Sequence, residues 1–273
     1  MTHLLRAWRE ATAACRPRLA VLLDYDGTLV PIAPTPAQAV LPARVRTLLR
    51  ILSRLPQTRV GIISGRSLRE IERCVRVPGV VYAGNHGLEL RGPQLSFVHP
   101  GATRSRALLR AMADRLDAAL RPMPGAWVER KGLTISVHWR AVPRAEQAAF
   151  RAIVSAATAP EARRRAIQVT RGKRVVEIRP PVAWDKGRLV AWMAKRLSGR
   201  GRPDWTLWYA GDDETDEEAF RAVNRLQGLS VFVGARPKAT AAAYWLRGPR
   251  EVERWLQLLG RLRRSRTYKE DEP

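Results

Sequence analysis

The chain has 273 residues, 45% hydrophobic and 27% charged, enough to bury a sizeable core as one large domain or two smaller ones. Its two cysteines, Cys15 and Cys74, lie far from metal-ligand spacing, which argues against a disulfide framework or a structural zinc site. The formal net charge of +24 calls for a polyanion such as nucleic acid, yet 43 Arg and 6 Lys spread along the whole chain without forming a tract, so nucleic acid is set aside as the main partner.

In chain order, a helix is expected over residues 3–14, where repeated arginines leave no signal-peptide core. No window approaches the roughly 20 apolar residues needed to cross a bilayer, so the expectation is a cytoplasmic monomer with no membrane partner. "LAVLLD" (19–24) is a continuous apolar run typical of a strand buried on both faces. A helix over 41–55, a strand "RVGIIS" (59–64), a helix over 67–75 and a strand "VVYAG" (80–84) follow, the rhythm of a parallel α/β sheet. Gly and Pro punctuate 91–101, and residues 101–181 then read as a helix (103–121), two strands, a helix (143–157) and two more strands. That αββαββ order predicts a small antiparallel sheet covered by helices. From 186 the first rhythm resumes: a helix over 186–197, the strand "TLWYAG", a helix from Thr215, the strand "LSVFVG", a short strand near "YWLRG", and a helix over 250–262 before a disordered tail. The expected fold class is therefore α/β, with a parallel-sheet core made of 1–100 and 182–273 and an inserted α+β domain at 101–181.

Ligands of open parallel sheets bind at the carboxyl ends of the strands, and four polar clusters fall there. Asp24 and Asp26 follow the first strand; Ser64, Gly65 and Arg66 follow the second; Lys186 opens a helix; and "GDDETDEEAF" (211–220), with six of the 25 acids in seven positions, follows "TLWYA". Each has a plain alternative: aspartates cap turns, and acids gather at helix N-termini for dipole reasons. Together they suit phosphoryl transfer. One of two carboxylates at i and i+2 attacks phosphorus and forms an aspartyl phosphate, while the other protonates the leaving oxygen and then activates water. Asp24 and Asp212 suit magnesium, which takes one or two carboxylates. The Ser64 hydroxyl, the backbone amides from Gly27 to Leu29, and Lys186 are candidate phosphate holders. In a chain so dominated by Arg, a retained Lys suggests that a compact point charge was needed, and Lys131, Lys173 and Lys186 all fall in candidate site segments.

"DYDGTL", "SGR", "DKG" and "GDDETDEEAF", in that order, resemble the four signature motifs of haloacid-dehalogenase-type (HAD) phosphatases. With "GNHGLE" (84–89) and "GKRVVEIRP" (172–180), the chain looks more particularly like the trehalose-6-phosphate phosphatases, over residues 19 to 260 or so. The resemblance implies a HAD-like Rossmannoid core with a substrate-specificity cap. It implies Asp24 as nucleophile, Asp26 as general acid and base, and Ser64 and Lys186 as phosphate clamps. Magnesium would be held by Asp24, the Asp26 carbonyl and Asp212, with Gly27, Gly65, Arg66, Asp213 and Asp216 supporting phosphate or metal. Asp213 and Asp216 would act through water or by orienting Lys186. Sugar contacts would come from Asn85, His86, Lys131, Arg140, Lys173 and Glu177, with Glu129 and His138 as further candidates and Trp127 and Trp139 near the sugar. His86 has a competing reading as part of a tight turn, and charged residues alternating along a cap strand also describe a solvated face.

The implied reaction is magnesium-dependent hydrolysis of trehalose 6-phosphate. Sucrose 6-phosphate and mannosyl-3-phosphoglycerate are alternative substrates. A silent scaffold that binds nucleic acid is the reading from another class, and the excess charge keeps open a secondary attraction to anionic surfaces.

Overall fold

The computed structural model describes residues 1–13, 15–172, 174–198 and 205–270. The chain divides into two compact units, Met1–Phe97 with Trp184–Pro273, and Val98–Ala183.

In the first unit, β1 (Thr2–His3), β2 (Arg18–Leu23), β3 (Thr58–Ile63), β4 (Val81–Gly84), β5 (Glu89–Gly92), β6 (Leu95–Val98), β11 (Trp205–Gly211), β12 (Leu229–Val233) and β13 (Tyr244–Leu246) form one sheet in the order β1-β13-β12-β11-β2-β3-β4-β5-β6. The pairs from β1 to β4 are parallel, and β5 runs antiparallel to β4. Alternate residues of β2 enter two different cores: Leu19, Val21 and Leu23 pack on one face, Ala20 and Leu22 on the other. Burial on both faces explains why this strand is an unbroken apolar run. Helices α1 (Trp8–Ala13), α2 (Ala43–Arg54), α3 (Leu68–Val75), α7 (Lys186–Ser198), α8 (Glu217–Arg225) and α9 (Pro249–Glu270) complete this unit. Ser67 caps α3 by accepting the Glu70 amide at 3.3 Å.

In the second unit, β7 (Trp127–Arg130), β8 (Ile135–His138), β9 (Gln168–Gly172) and β10 (Val175–Arg179) form an antiparallel sheet in the order β7-β8-β10-β9. It shares a core with α5 (Arg106–Leu120) and α6 (Gln147–Arg163), in which Leu116, Val137, Phe150 and Ile178 are buried; α4 (Pro100–Arg104) precedes α5. Among the described residues no helix is long and apolar enough to cross a membrane.

Several expectations change. The N-terminal helix begins only at Trp8, and Thr2–His3 form a strand beside Tyr244–Trp245 instead. The Gly- and Pro-rich stretch after residue 91 contributes to β5 and β6, which extend the first sheet. Helix α6 continues through Pro160 to Arg163, past the end expected at 157. The expected disordered tail is helical as far as Glu270, because Arg263 is buried and donates to Thr58 Oγ1 at 3.1 Å and to the Pro56 carbonyl at 3.2 Å.

Replacing Arg263 with Ala removes a buried donor to three acceptors, Thr58 Oγ1 and the Pro56 and Gln57 carbonyls. The expected loss is about 2 kcal/mol, read as a lower urea midpoint at unchanged m-value.

Candidate active site

Because β2, β3, β4 and β11 run parallel, their carboxyl ends share one edge. Asp24 follows Leu23, Ser64 follows Ile63, Asn85 follows Gly84 and Asp212 follows Gly211. Backbone bonds continue the ladder past the strand ends: the Asp24 amide donates to the Ala210 carbonyl, and the Ser64 amide to that of Ala83, both at 2.9 Å.

At the first α7 residue, Lys186 is 3% exposed, and its Nζ donates to Asp24 Oδ1 at 2.8 Å and Asp216 Oδ1 at 2.7 Å. Burial alone would lower its pKa, but the charges of Asp216 and Asp24 raise it well above the usual value, so the ammonium persists. Asp216, with no exposed surface, has both oxygens filled. Oδ1 accepts from Lys186 and from the Tyr209 hydroxyl at 2.5 Å, and Oδ2 accepts the amides of Asp212 at 3.0 Å and Asp213 at 3.2 Å. Asp216 thus pairs directly with Lys186. Asp213 turns away to cap Thr215, accepting its amide at 2.8 Å and its hydroxyl at 2.7 Å.

Gly27 adopts φ +85°, and a Cβ there would overlap the Asp212 carboxylate, so only glycine permits this approach. Thr28 Oγ1 donates to Asp212 Oδ1 at 3.4 Å. Of the amides expected to hold phosphate, Gly27 N donates to Val30 O at 2.7 Å and Leu29 N to Tyr25 O at 2.9 Å, so these two serve the turn itself.

Asp26 pairs with a different cation, Arg66. Its carboxylate accepts both prongs of the Arg66 guanidinium, Nη2 to Oδ1 at 2.7 Å and Nε to Oδ2 at 2.8 Å. Arg66 therefore faces Asp26, which differs from its expected place among the phosphate supports. The Ser64 hydroxyl accepts the Arg66 amide at 3.2 Å. The "GNHG" turn is joined to the same loop: Asn85 N donates to Arg66 O and His86 N to Ser64 O, at 2.7 and 2.9 Å. Asn85 and His86 both have left-handed φ, 50° and 56°, as the tight-turn reading required, and the His86 ring packs against Gly65. Glu89 fixes the turn by accepting Asn85 Nδ2 at 2.7 Å and the Leu68 amide at 3.0 Å.

In the second unit, Lys131 Nζ lies 3.8 Å from Glu129 and 4.0 Å from Glu177, and His138 Nε2 pairs with Glu129 at 2.8 Å. Trp127 stacks on His138, with centroids 3.9 Å apart, whereas Trp139 packs on Phe150. Arg140 is exposed beyond the end of β8, and Lys173 lies outside the described residues.

Oxygens of Asp24, Asp212 and Asp216 lie within 4.8 Å of one another, with one ammonium against three carboxylates. Burial, then the neighbouring acids, raises Asp24 well above its usual value and Asp212 to about 7. An all-oxygen set with surplus negative charge fits a hard divalent cation. With Asp216 saturated, Asp24 and Asp212 are the side chains left to hold one. Thr28, Tyr209, Glu70 and Glu89 were absent from the expected site. Of these, Thr28 and Glu89 stand inside the quoted motifs "DYDGTL" and "GNHGLE", and Tyr209 is a polar tip in an apolar strand beside the acidic motif, whereas Glu70 carried no such signal.

The parallel sheet with four polar loops at its carboxyl edge is a fold with solved counterparts. A haloacid dehalogenase-like hydrolase from Bacteroides thetaiotaomicron shares the fold, with TM-score 0.61 at 16% identity, covering 89% of this chain and 99% of that one. The trehalose-phosphatase family model matches residues 22–250, and the chain belongs to that family. A probable trehalose-phosphate phosphatase D of Arabidopsis thaliana is 33% identical over 91% of this chain and 69% of its own length. The trehalose-phosphate phosphatase of Mycobacterium avium is 36% identical over 88% of this chain and 61% of its own. The C-terminal domain of trehalose-6-phosphate phosphatase from Candida albicans superposes with TM-score 0.75 at 26% identity, covering 95% and 96% of the two chains.

Asp212, at about 7 in the fold against 3.8 for a free carboxylate, makes the folded state bind the extra proton between those values. Stability without a cation therefore falls as pH rises through that window. A divalent cation should raise the melting temperature more at pH 8 than at pH 5, and Asp212→Asn should abolish the difference. An equal rise at both pH values would contradict this assignment.

Proposed function

We propose that the chain is a phosphoric monoester hydrolase that converts trehalose 6-phosphate to trehalose and inorganic phosphate, using Mg2+ and an aspartyl phosphate on Asp24. The observation that carries this reading is the buried Lys186 between Asp24 and Asp216, in a chain of the trehalose-phosphatase family.

Asp24 is held by backbone and ammonium at the end of β2, so its attacking oxygen is aimed with little freedom. That oxygen attacks phosphorus while the bond to the sugar oxygen breaks, and Asp26 supplies the proton this oxygen needs. Asp26 then takes a proton from water, whose oxygen attacks the phosphoenzyme and releases Asp24. Lys186 and the Ser64 hydroxyl hold phosphate oxygens as charge shifts onto them. Asp24, Asp212 and the Asp26 carbonyl would hold Mg2+, which would supply positive charge against the phosphate oxygens. The hard oxygen donors and their surplus charge favour Mg2+ over softer metals. Sugar hydroxyls are assigned to Glu129, Lys131 and Glu177 of the second unit, with His138 orienting Glu129. Asn85, His86, Arg140 and Lys173 join the assignment through the family motif alone.

Phosphate release should be measured with trehalose 6-phosphate, sucrose 6-phosphate and mannosyl-3-phosphoglycerate. Trehalose 6-phosphate is expected to give the highest kcat/KM; preference for another sugar phosphate would overturn the substrate, and no release from any would overturn the enzyme. Asp24→Asn should keep the fold by circular dichroism and lose at least about 10³-fold in kcat. Lys131→Ala should raise KM for trehalose 6-phosphate about tenfold while changing turnover of a small aryl phosphate far less.

A further inference from the structure

We propose that Arg66 is a positioning residue: it acts on the reaction through Asp26 and makes no contact with the substrate phosphate. The inference rests on the role given to Asp26 above.

A guanidinium has five N–H donors, and all five are engaged here. Nε and Nη2 hold the two oxygens of Asp26 at 2.8 and 2.7 Å, and Nη2 also donates to the Pro36 carbonyl at 3.0 Å. Nη1 donates to Glu70 Oε1 at 2.6 Å and contacts Cys74 Sγ at 3.8 Å. The Tyr25 ring packs 5.2 Å from the guanidinium carbon. The Arg66 side chain is 7% exposed and that of Asp26 40%, so the pair presents the carboxylate to solvent and keeps the cation behind it. A planar fork on both oxygens fixes the direction as well as the distance of a carboxylate. Glu70 on α3 and the Pro36 carbonyl fix the fork in turn.

Asp26 has two proton transfers to perform. In the first, the electron pair of the breaking P–O bond passes to the sugar oxygen, which takes the Asp26 proton. In the second, Asp26 takes a proton from the water that attacks phosphorus, and the electron pair returns to Asp24. Both need Asp26 within hydrogen-bond reach of a moving oxygen. A sugar alkoxide leaves poorly without its proton, whereas p-nitrophenolate leaves without one. Since kcat/KM covers only the steps through leaving-group departure, it isolates the first transfer.

The test is kcat/KM of Arg66→Gln and Arg66→Lys with trehalose 6-phosphate and with p-nitrophenyl phosphate, together with inhibition by inorganic phosphate. Trehalose 6-phosphate should lose about 30-fold or more, and at least about tenfold more than the aryl ester, as removal of an aligned general acid predicts. The phosphate inhibition constant should stay within about threefold, because no phosphate contact is lost. Glu70→Gln, which loosens the fork from behind, should give the same pattern more weakly, with folding checked by circular dichroism. An equal loss on both esters, or phosphate inhibition weakened about tenfold, would mean that Arg66 touches phosphate and would overturn the proposal. If the wild-type enzyme releases nothing from trehalose 6-phosphate, the substrate assignment fails, and the phosphate inhibition constant still decides the role of Arg66.

Discussion

Lys186 carries a full charge at 3% exposure, and most of the site's geometry follows from neutralising it. A buried ammonium is tolerated only when paired and hydrogen-bonded, and removing one partner of such a pair costs about 3–5 kcal/mol. Asp24 and Asp216 supply the pairing, but Asp216 is itself fully buried and needs donors of its own. Those come from the Tyr209 hydroxyl and two consecutive amides. The amides come only from a chain that turns sharply after β11, so the turn in "GDDETD" is fixed by the same charge that the motif serves. Gly187, packed without a side chain against the Glu218 backbone, lets the start of α7 approach α8 closely enough for Lys186 to reach.

The parallel sheet then accounts for the convergence. Four loops from β2, β3, β4 and β11 must crowd one edge, and small residues and backbone bonds manage the crowding. Gly27 gives way to Asp212, Gly65 gives way to His86, and two amides of the "GNHG" loop donate to carbonyls of the "SGR" loop. Three carboxylates against one ammonium leave the edge short of positive charge, and a divalent cation is the natural complement.

The central strands and their polar ends were legible because burial on both faces writes a distinctive apolar run, ended by residues unable to continue it. Misread elements lacked that signature. Thr2–His3 is a strand only because Tyr244–Trp245 offers an edge, and the helix beyond residue 262 persists because Arg263 reaches loop carbonyls some 200 residues away in sequence. In the site, the residue types and order were readable from the motifs, but donor saturation was not. Nothing local in "DYDGTL" shows that Gly27 N and Leu29 N close their own turn, nor does "SGR" show that its arginine is engaged by Asp26, Glu70, Pro36 and Cys74.

The two carboxylates of "DYD" stand one residue apart yet answer to different cations, and the difference suits their assigned roles. Asp24 faces a lysine, two of whose three N–H donors bond Asp24 and Asp216, which leaves the third to serve the phosphate role proposed for Lys186. Asp26 faces an arginine with no donor left over, which can hold a carboxylate flat but cannot compete for substrate. Exchanging the two cations would place a five-donor fork where a single point charge fits and a rotating ammonium where a fixed plane is needed. In a chain with 43 arginines and 6 lysines, a lysine at 186 and an arginine at 66 are therefore not interchangeable fillings of a basic composition. Each matches the number of hydrogen bonds its aspartate requires.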